Sequence, residues 1–173
     1  PRDSDSVMAL IVELAEDQLC VQGIHRLISG LPEGFDVPGA LAAFFDLAAT
    51  DPPDASILGR MVRGGGPALA TPTGTWLLEA KQATRDDADQ DLDSSRLELA
   101  LAALPEHDVA YQHGWDLAVD AVARSEAQAA VLLRPVTVDQ IASTGRGGER
   151  MPPKSTFFWP KPRTGFVFRE VAD

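Results

Sequence analysis

A lysine and two hydroxyl residues follow a pair of prolines near the C-terminus, in the segment Met151-Pro152-Pro153-Lys154-Ser155-Thr156. Each proline fixes its own φ and pushes the residue before it toward extended geometry, so we predict a stiff extended segment here. An ammonium group beside two O–H donors suits a phosphate or a carboxylate. The segment is therefore our first candidate for an anion site. The alternative is a rigid surface loop that the aromatic residues at 157–159 attach to the core.

Two adjacent residues, His25 and Arg26, lie in a predicted strand, so their side chains point to opposite faces. His25 shares its face with apolar residues, which is typical of a hydrogen-bonded core histidine. At a strand end that faces a cleft, the same ring would serve as a general acid or base near neutral pH. The sequence leaves both interpretations open, and we treat His25 and Arg26 as candidate catalytic residues.

A third candidate catalytic residue, His113, follows a predicted strand and precedes Gly114. Open α/β sheets tend to bind ligands at such a strand end. The tail is also rich in cations, namely Arg146, Arg150, Lys154, Lys161, Arg163 and Arg169. On an acidic chain this indicates a focused anion site or an intramolecular electrostatic contact. We therefore add Lys161 to Lys154, Ser155 and Thr156 as predicted ligand-binding residues.

Other kinds of chemistry have little support. The three histidines lack the spacing to Glu or Cys that metal sites use, so we predict no metal site. The aspartates between 84 and 93 lack the glycine and glutamate of a calcium loop, so we predict a solvated loop there. Cys20 has no basic neighbour and no Gly-x-Ser-x-Gly motif is present. The glycines at 64–66 precede a proline and a predicted strand, which argues against a phosphate loop.

Composition limits the class of protein. A chain of 173 residues with 45% hydrophobic content is long enough to form one compact domain, which we assign to residues 1–173. The net charge of -11 argues against general nucleic-acid binding, and no apolar run is long enough to cross a bilayer. A single cysteine excludes an internal disulfide, and a cytoplasmic location fits. Because the first residue is Pro1 rather than methionine, we expect a piece of a longer protein.

The hydrophobic pattern predicts an α/β or α+β fold, with a mixed sheet flanked by helices. We predict strands at 7–12, 19–28, 56–62, 75–80, 109–112, 129–133 and 165–168, and helices at 36–49, 95–104, 115–125 and 138–143. Asp36 is the predicted N-cap of the first helix, and Asp93 or Ser94 that of the second. Residues 129–133 are all apolar, which indicates a strand covered on both faces.

Several short segments together resemble one protein family. In chain order they are Gly23-Ile24-His25-Arg26-Leu27, Val109-Ala110-Tyr111-Gln112-His113, Ala130-Val131-Leu132-Leu133-Arg134-Pro135, the Met-Pro-Pro-Lys-Ser-Thr segment, Pro160-Lys161 and Thr164-Gly165. They resemble the C-terminal half of the bacterial and archaeal family called domain of unknown function 1015. Full-length members have an N-terminal half with an Asp-Gly-His-His-Arg motif, similar to ParB-like nucleotide-using proteins, some of which phosphorylate free serine. That motif is absent from this sequence, so the resemblance implies a ParB-like partner domain.

These observations support two hypotheses. In the first, the chain is the anion-binding domain, for phosphate or a nucleotide, of a phosphoryl-transfer or hydrolytic enzyme. Lys154, Ser155 and Thr156 bind the ligand, a nucleotide with Mg²⁺ is the candidate cofactor, and His25 and Arg26 line the same cleft. The candidate partners are the missing N-terminal half and a second copy of the chain. In the second hypothesis, the chain is a non-catalytic assembly or regulatory domain. It docks onto its partner through Phe157, Phe158 and Trp159.

Overall fold

A computed structural model describes residues 9, 11–15, 17–159 and 161. The elements are β1 (Cys20–Gln22), β2 (Ile24–Ser29), α1 (Val37–Leu41), β3 (Phe45–Thr50), α2 (Ile57–Gly64), β4 (Ala68–Thr71), β5 (Gly74–Ala80), α3 (Gln82–Asp87), α4 (Asp93–Ala102), β6 (Asp108–His113), α5 (Trp115–Ala123), β7 (Ala129–Leu132), α6 (Val138–Arg146) and β8 (Phe157–Trp159). Among these described residues, no helix is long and apolar enough to cross a membrane.

The centre of the domain is a six-stranded sheet with the order β3-β5-β4-β7-β2-β6. Every pairing described within it is antiparallel. Strands β1 and β8 pair with each other instead, and form a separate antiparallel pair that we call the ribbon. The compact domain with helices around a sheet is confirmed, and its strand directions make it α+β.

Helices cover both faces of the sheet. One apolar cluster includes Leu41 of α1 and Leu97 of α4. The cluster on the other face includes Met61 of α2 and Val122 of α5. Strand β7 lies between the two layers with all four residues buried. This confirms that residues 129–133 contain a strand covered on both faces.

Two predicted elements differ from the structure because a short apolar run fits the periodicity of a helix as well as that of a strand. Residues 56–62 were predicted as a strand, but Ile57 and Met61 bury one face of helix α2, whose C-cap is Gly65 with a φ of 72°. The helix predicted for 36–49 stops at Leu41, and β3 follows and pairs with β5. Its N-cap is confirmed, because Asp36 Oδ1 accepts a hydrogen bond from the Gly39 N–H at 3.0 Å.

The strand predicted for 19–28 is interrupted at Gly23. A Cβ there would collide with the Leu133 carbonyl oxygen, so the chain passes where only glycine fits. The residues before it join the ribbon, and those after it form β2.

The remaining differences lie at the helix starts and the termini. Leu92, not Asp93 or Ser94, is the N-cap of α4, and part of the predicted acidic loop is helix α3. Strand β4 was not predicted. Of the strand predicted for 7–12, the described residues 9, 11 and 12 lie in no helix or strand, and the strand predicted for 165–168 lies outside the described residues.

Candidate functional site

Most of the candidate residues lie along one edge of the sheet, which is formed by the ends of several strands rather than by an outer strand. Strand β2 begins there, and β6 and β7 end there, with Ile24 opposite His113. A cavity of about 160 Å³ lies at this edge. Its walls include Ile24 and the residues after β7, the N-terminal residues of α4 and α6, and Ser155. The fold therefore places the start of two helices and one residue of the prolyl segment around a single cavity.

An ion pair forms one wall of this cavity. Arg134 donates from Nε to Asp93 Oδ2 at 2.8 Å and from Nη2 to Oδ1 at 2.6 Å, and its backbone N–H reaches Oδ2 at 3.3 Å. The hydrogen bonds to Asp93 raise the pKa of Arg134. The pair connects the first turn of α4 to the segment after β7, so it fixes the shape of the cavity.

His25 lies inside the fold, with 3% of its surface exposed. The Leu133 N–H donates to His25 Nδ1 at 3.1 Å, so the ring accepts a hydrogen bond there. Burial, followed by the positive charges of Arg26 and His113, lowers the pKa of His25 to about 4. The ring is therefore neutral at pH 7 and connects β2 to the end of β7. The catalytic role of His25 stays a prediction.

Arg26 is buried on the opposite face of β2. Its Nη1 donates to the Ile24 carbonyl at 2.7 Å, and its guanidinium lies 4.7 Å from the centre of the Tyr111 ring. Burial lowers the pKa of Arg26, while Tyr111 and Glu98 oppose that shift. His25 and Arg26 therefore face opposite layers of the sheet, and their predicted place in one cleft stays a prediction.

The lysine of the prolyl segment lies in a turn rather than in an extended run. Lys154 has a φ of 57°, and Ser155 Oγ closes the turn by donating to the Pro152 carbonyl at 2.6 Å. Prolines restrict themselves and the residue before them, so nothing in the sequence forced Lys154 to be extended. Lys154 is exposed, and none of the ion pairs between described residues includes it. Ser155 is buried and lines the cavity, whereas Lys154 and Thr156 are not among its lining residues.

An aromatic contact joins the ribbon to the edge of the sheet. The Phe157 ring lies 4.1 Å from the His113 ring, centre to centre, and 6.1 Å from the Trp159 ring. Lys161 Nζ lies 4.8 Å from the centre of Phe157. The structure thus brings His113 and Lys161 to the same phenyl ring. Trp159 is 56% exposed, so the segment combines an available lysine with an exposed aromatic residue, one feature of each hypothesis.

Three residues of this edge were not among the predicted site residues: Asp93, Ser94 and Arg134. Asp93 and Ser94 stood out only as predicted N-caps. The contact of Asp93 with Arg134 joins positions 41 residues apart, which no local pattern shows. The described residues contain no group of three or more His, Cys, Asp or Glu side chains that could hold a metal ion.

Solved structures share this fold. A structure of free serine kinase in complex with AMP matches with a TM-score of 0.55 and 14% identity, over 86% of this chain and 57% of that one. A mutant of that kinase in complex with ADP gives 0.52 and 13%, over 87% and 58%. A conserved hypothetical protein from Pyrococcus furiosus gives 0.52 and 15%, over 81% and 56%. The chain therefore spans a little over half the length of each. No protein-family model matches the chain, and no curated protein is significantly similar to it.

Proposed function

We propose that this chain is the nucleotide-binding or phosphate-binding domain of a phosphoryl-transfer enzyme. The observation that carries the proposal is the fold that the chain shares with free serine kinase, whose solved structures contain AMP or ADP. The chain spans 57% of that kinase, so a second half would complete the enzyme. The resemblance to the C-terminal half of the family of unknown function 1015 supports the same division.

The turn at Lys154 is the proposed phosphate contact. A non-glycine residue in the left-handed backbone conformation destabilises the fold by about 1–2 kcal/mol, and such strained residues are concentrated at functional sites. The lysine that occupies this position is exposed, and no ion pair with a described residue neutralises it. An exposed ammonium group on a rigid turn is suited to bind a phosphate oxygen.

Lys161 and His113 supply further groups at Phe157, three residues after Lys154. Both contact Phe157, so the ribbon brings a second ammonium group and the imidazole ring of β6 to one phenyl ring. Phosphoryl transfer depends mainly on positioning and on stabilisation of negative charge, which cations around the phosphates provide. A nucleotide with Mg²⁺ is the proposed ligand, because Mg²⁺ commonly binds through the phosphates of a substrate and one or two carboxylates.

A thermal-shift panel tests the proposal. AMP, ADP, ATP and phosphoserine, each with and without Mg²⁺, are added to the 173-residue chain and to Lys154→Ala. A ligand at 100 times its Kd stabilises the folded state by about 2.7 kcal/mol, which such a panel detects. Lys81→Ala is the control, because that half-buried lysine donates to the Ala42 carbonyl at 2.6 Å and lies outside the prolyl segment. We expect a nucleotide shift in the parent and in Lys81→Ala that is lost in Lys154→Ala.

The exposed Trp159 favours a second candidate function, a docking domain for the missing half or for a second copy. In that case the mass measured by light scattering after size exclusion, alone or with the other half added, would exceed that of one chain. Trp159→Ser would abolish this association. A panel without any nucleotide shift, together with association that depends on Trp159, would replace the first function by the second.

A further inference from the structure

One buried hydroxyl group at the cavity has no partner. Ser94 is 4% exposed and lines the cavity, and its Oγ makes no hydrogen bond with any described residue. An unsatisfied buried hydroxyl destabilises a fold, and native proteins contain few of them. A ligand in the cavity would supply the missing hydrogen bond.

Ser94 also belongs to the first turn of a helix that no side chain caps. Helix α4 has ten residues, and its N-cap, Leu92, makes no side-chain hydrogen bond to the first turn. Such a helix start has free N–H donors and a partial positive charge, which together favour an anion. The carboxylate of Asp93 does not occupy this place, because it is bound to Arg134.

We propose that this cavity binds a small oxyanion, a carboxylate or a phosphate, through the Ser94 hydroxyl and the start of α4. The negative charge of Asp93 does not exclude an anion, because Arg134 pairs with it directly and Arg96, whose own direct partner is Asp91, lies nearby. Arg134 binds it in a bidentate manner, and Arg96 Nη1 lies 3.9 Å from Asp93 Oδ1. The buried Ser155, on the prolyl segment, forms another part of the wall.

The size of the cavity sets the class of ligand. Its volume is about 160 Å³, and a protein cavity of about 150 Å³ accommodates a molecule the size of benzene. By the same comparison, the site matches a ligand of about six heavy atoms rather than a whole nucleotide. The cavity is a separate subsite from the proposed nucleotide contact at Lys154, and it would hold a second, smaller ligand.

The experiment compares two serines of the same helical turn. Ser94 and Ser95 are both buried and both have an unpartnered hydroxyl, but only Ser94 is among the residues that line the cavity. Inorganic phosphate and acetate are titrated calorimetrically, at constant ionic strength, into the 173-residue chain, Ser94→Ala and Ser95→Ala. A hydrogen bond to a charged group is lost in Ser94→Ala alone, so we expect binding to weaken about tenfold or more there. Ser95→Ala should bind as the parent does.

The outcomes distinguish the two proposals. Neither substitution should lower the unfolding temperature, because each removes a hydroxyl that has no partner. Binding of phosphate alone or acetate alone identifies which oxyanion the subsite prefers. If neither binds the parent, or if Ser94→Ala binds as tightly as the parent, the subsite is wrong. AMP titrated into the same variants should bind equally; its loss in Ser94→Ala would make the cavity part of the nucleotide site and overturn the separate subsite. Absence of AMP binding in all variants contradicts only the proposed function.

Discussion

The six-stranded sheet and the ribbon are stabilised in different ways. The sheet is covered on both faces by apolar clusters, and its strand β7 is buried throughout. The ribbon has three residues in each strand and contacts the sheet edge through the Phe157–His113 ring pair. Its other ring, Trp159, is largely exposed. We infer that the sheet determines the stability of the domain, while the ribbon presents groups to ligands or partners.

The same contrast applies to the charged and titratable residues. His25 and Arg26 lie within the sheet, where burial lowers the pKa of each. Lys154 and Lys161 lie at the ribbon end and are exposed. Residue types suited to chemistry are thus divided between a structural set in the sheet and an accessible set beside the ribbon.

The largest difference should appear when one apolar residue is truncated in each region. Leu132 of β7 is 0% exposed, so Leu132→Ala should lower the free energy of unfolding by about 3 kcal/mol. Trp159→Ala should lower it by less than about 1 kcal/mol, because the ring is more than half exposed. Urea unfolding measures both. Equal losses would contradict the division between sheet and ribbon.

The pH dependence of stability tests the buried histidine. The pKa of His25 is about 4 in the folded protein, below its ordinary value of 6.5. The unfolded chain therefore binds a proton more readily, and stability is complete above about pH 6.5 and decreases as the pH falls toward 4. The loss should amount to roughly 3 kcal/mol.

The pH experiment has a matched pair of variants. His25→Asn, whose amide oxygen can replace Nδ1 as acceptor for the Leu133 N–H, should flatten the dependence between pH 4 and 6.5. His107→Gln, in the loop before β6, should leave it unchanged. If the free energy of unfolding of the parent does not change between pH 4 and 6.5, folding does not lower the pKa of His25, and the prediction is wrong.

A smaller effect is expected from the cavity wall. Asp93→Ala leaves the partly buried guanidinium of Arg134 without its carboxylate, and should lower the free energy of unfolding by about 2 kcal/mol. The control is Glu126→Ala, which removes the carboxylate that Arg124 binds at the surface. No measurable change is expected there, because solvent screens an exposed pair. A similar loss in both variants would mean that the Asp93–Arg134 pair is no more than a surface contact.

The smallest effect concerns the turn at Lys154. Lys154→Gly removes the side chain from a left-handed position and should raise the free energy of unfolding by about 1 kcal/mol. Lys154→Ala keeps a side chain there and should not change it. If Lys154→Gly is destabilising, the turn does not carry the strain that we assign to it.

Local patterns in the sequence predicted much of the fold but little of the cavity. The apolar run at 129–133 and the cap at Asp36 depend on neighbouring residues, and both were found. Helix α2 and strand β3 could not be assigned, because four-residue spacing of apolar side chains fits both periods until the partner strand is known. The contact of Asp93 with Arg134 depends on the packing of distant segments. The turn at Lys154 was not predicted, and the anion-binding role of this residue stays a prediction.

The most direct test of the proposed function is a calorimetric titration of AMP into the 173-residue chain, Lys154→Ala and Lys81→Ala. The account predicts saturable binding to the parent and to Lys81→Ala, and binding at least tenfold weaker to Lys154→Ala, because a charge-assisted hydrogen bond contributes about 1.5–3 kcal/mol. Binding that is equal in all three proteins would remove the site from the prolyl segment. Absence of binding in the parent would contradict the nucleotide-binding function.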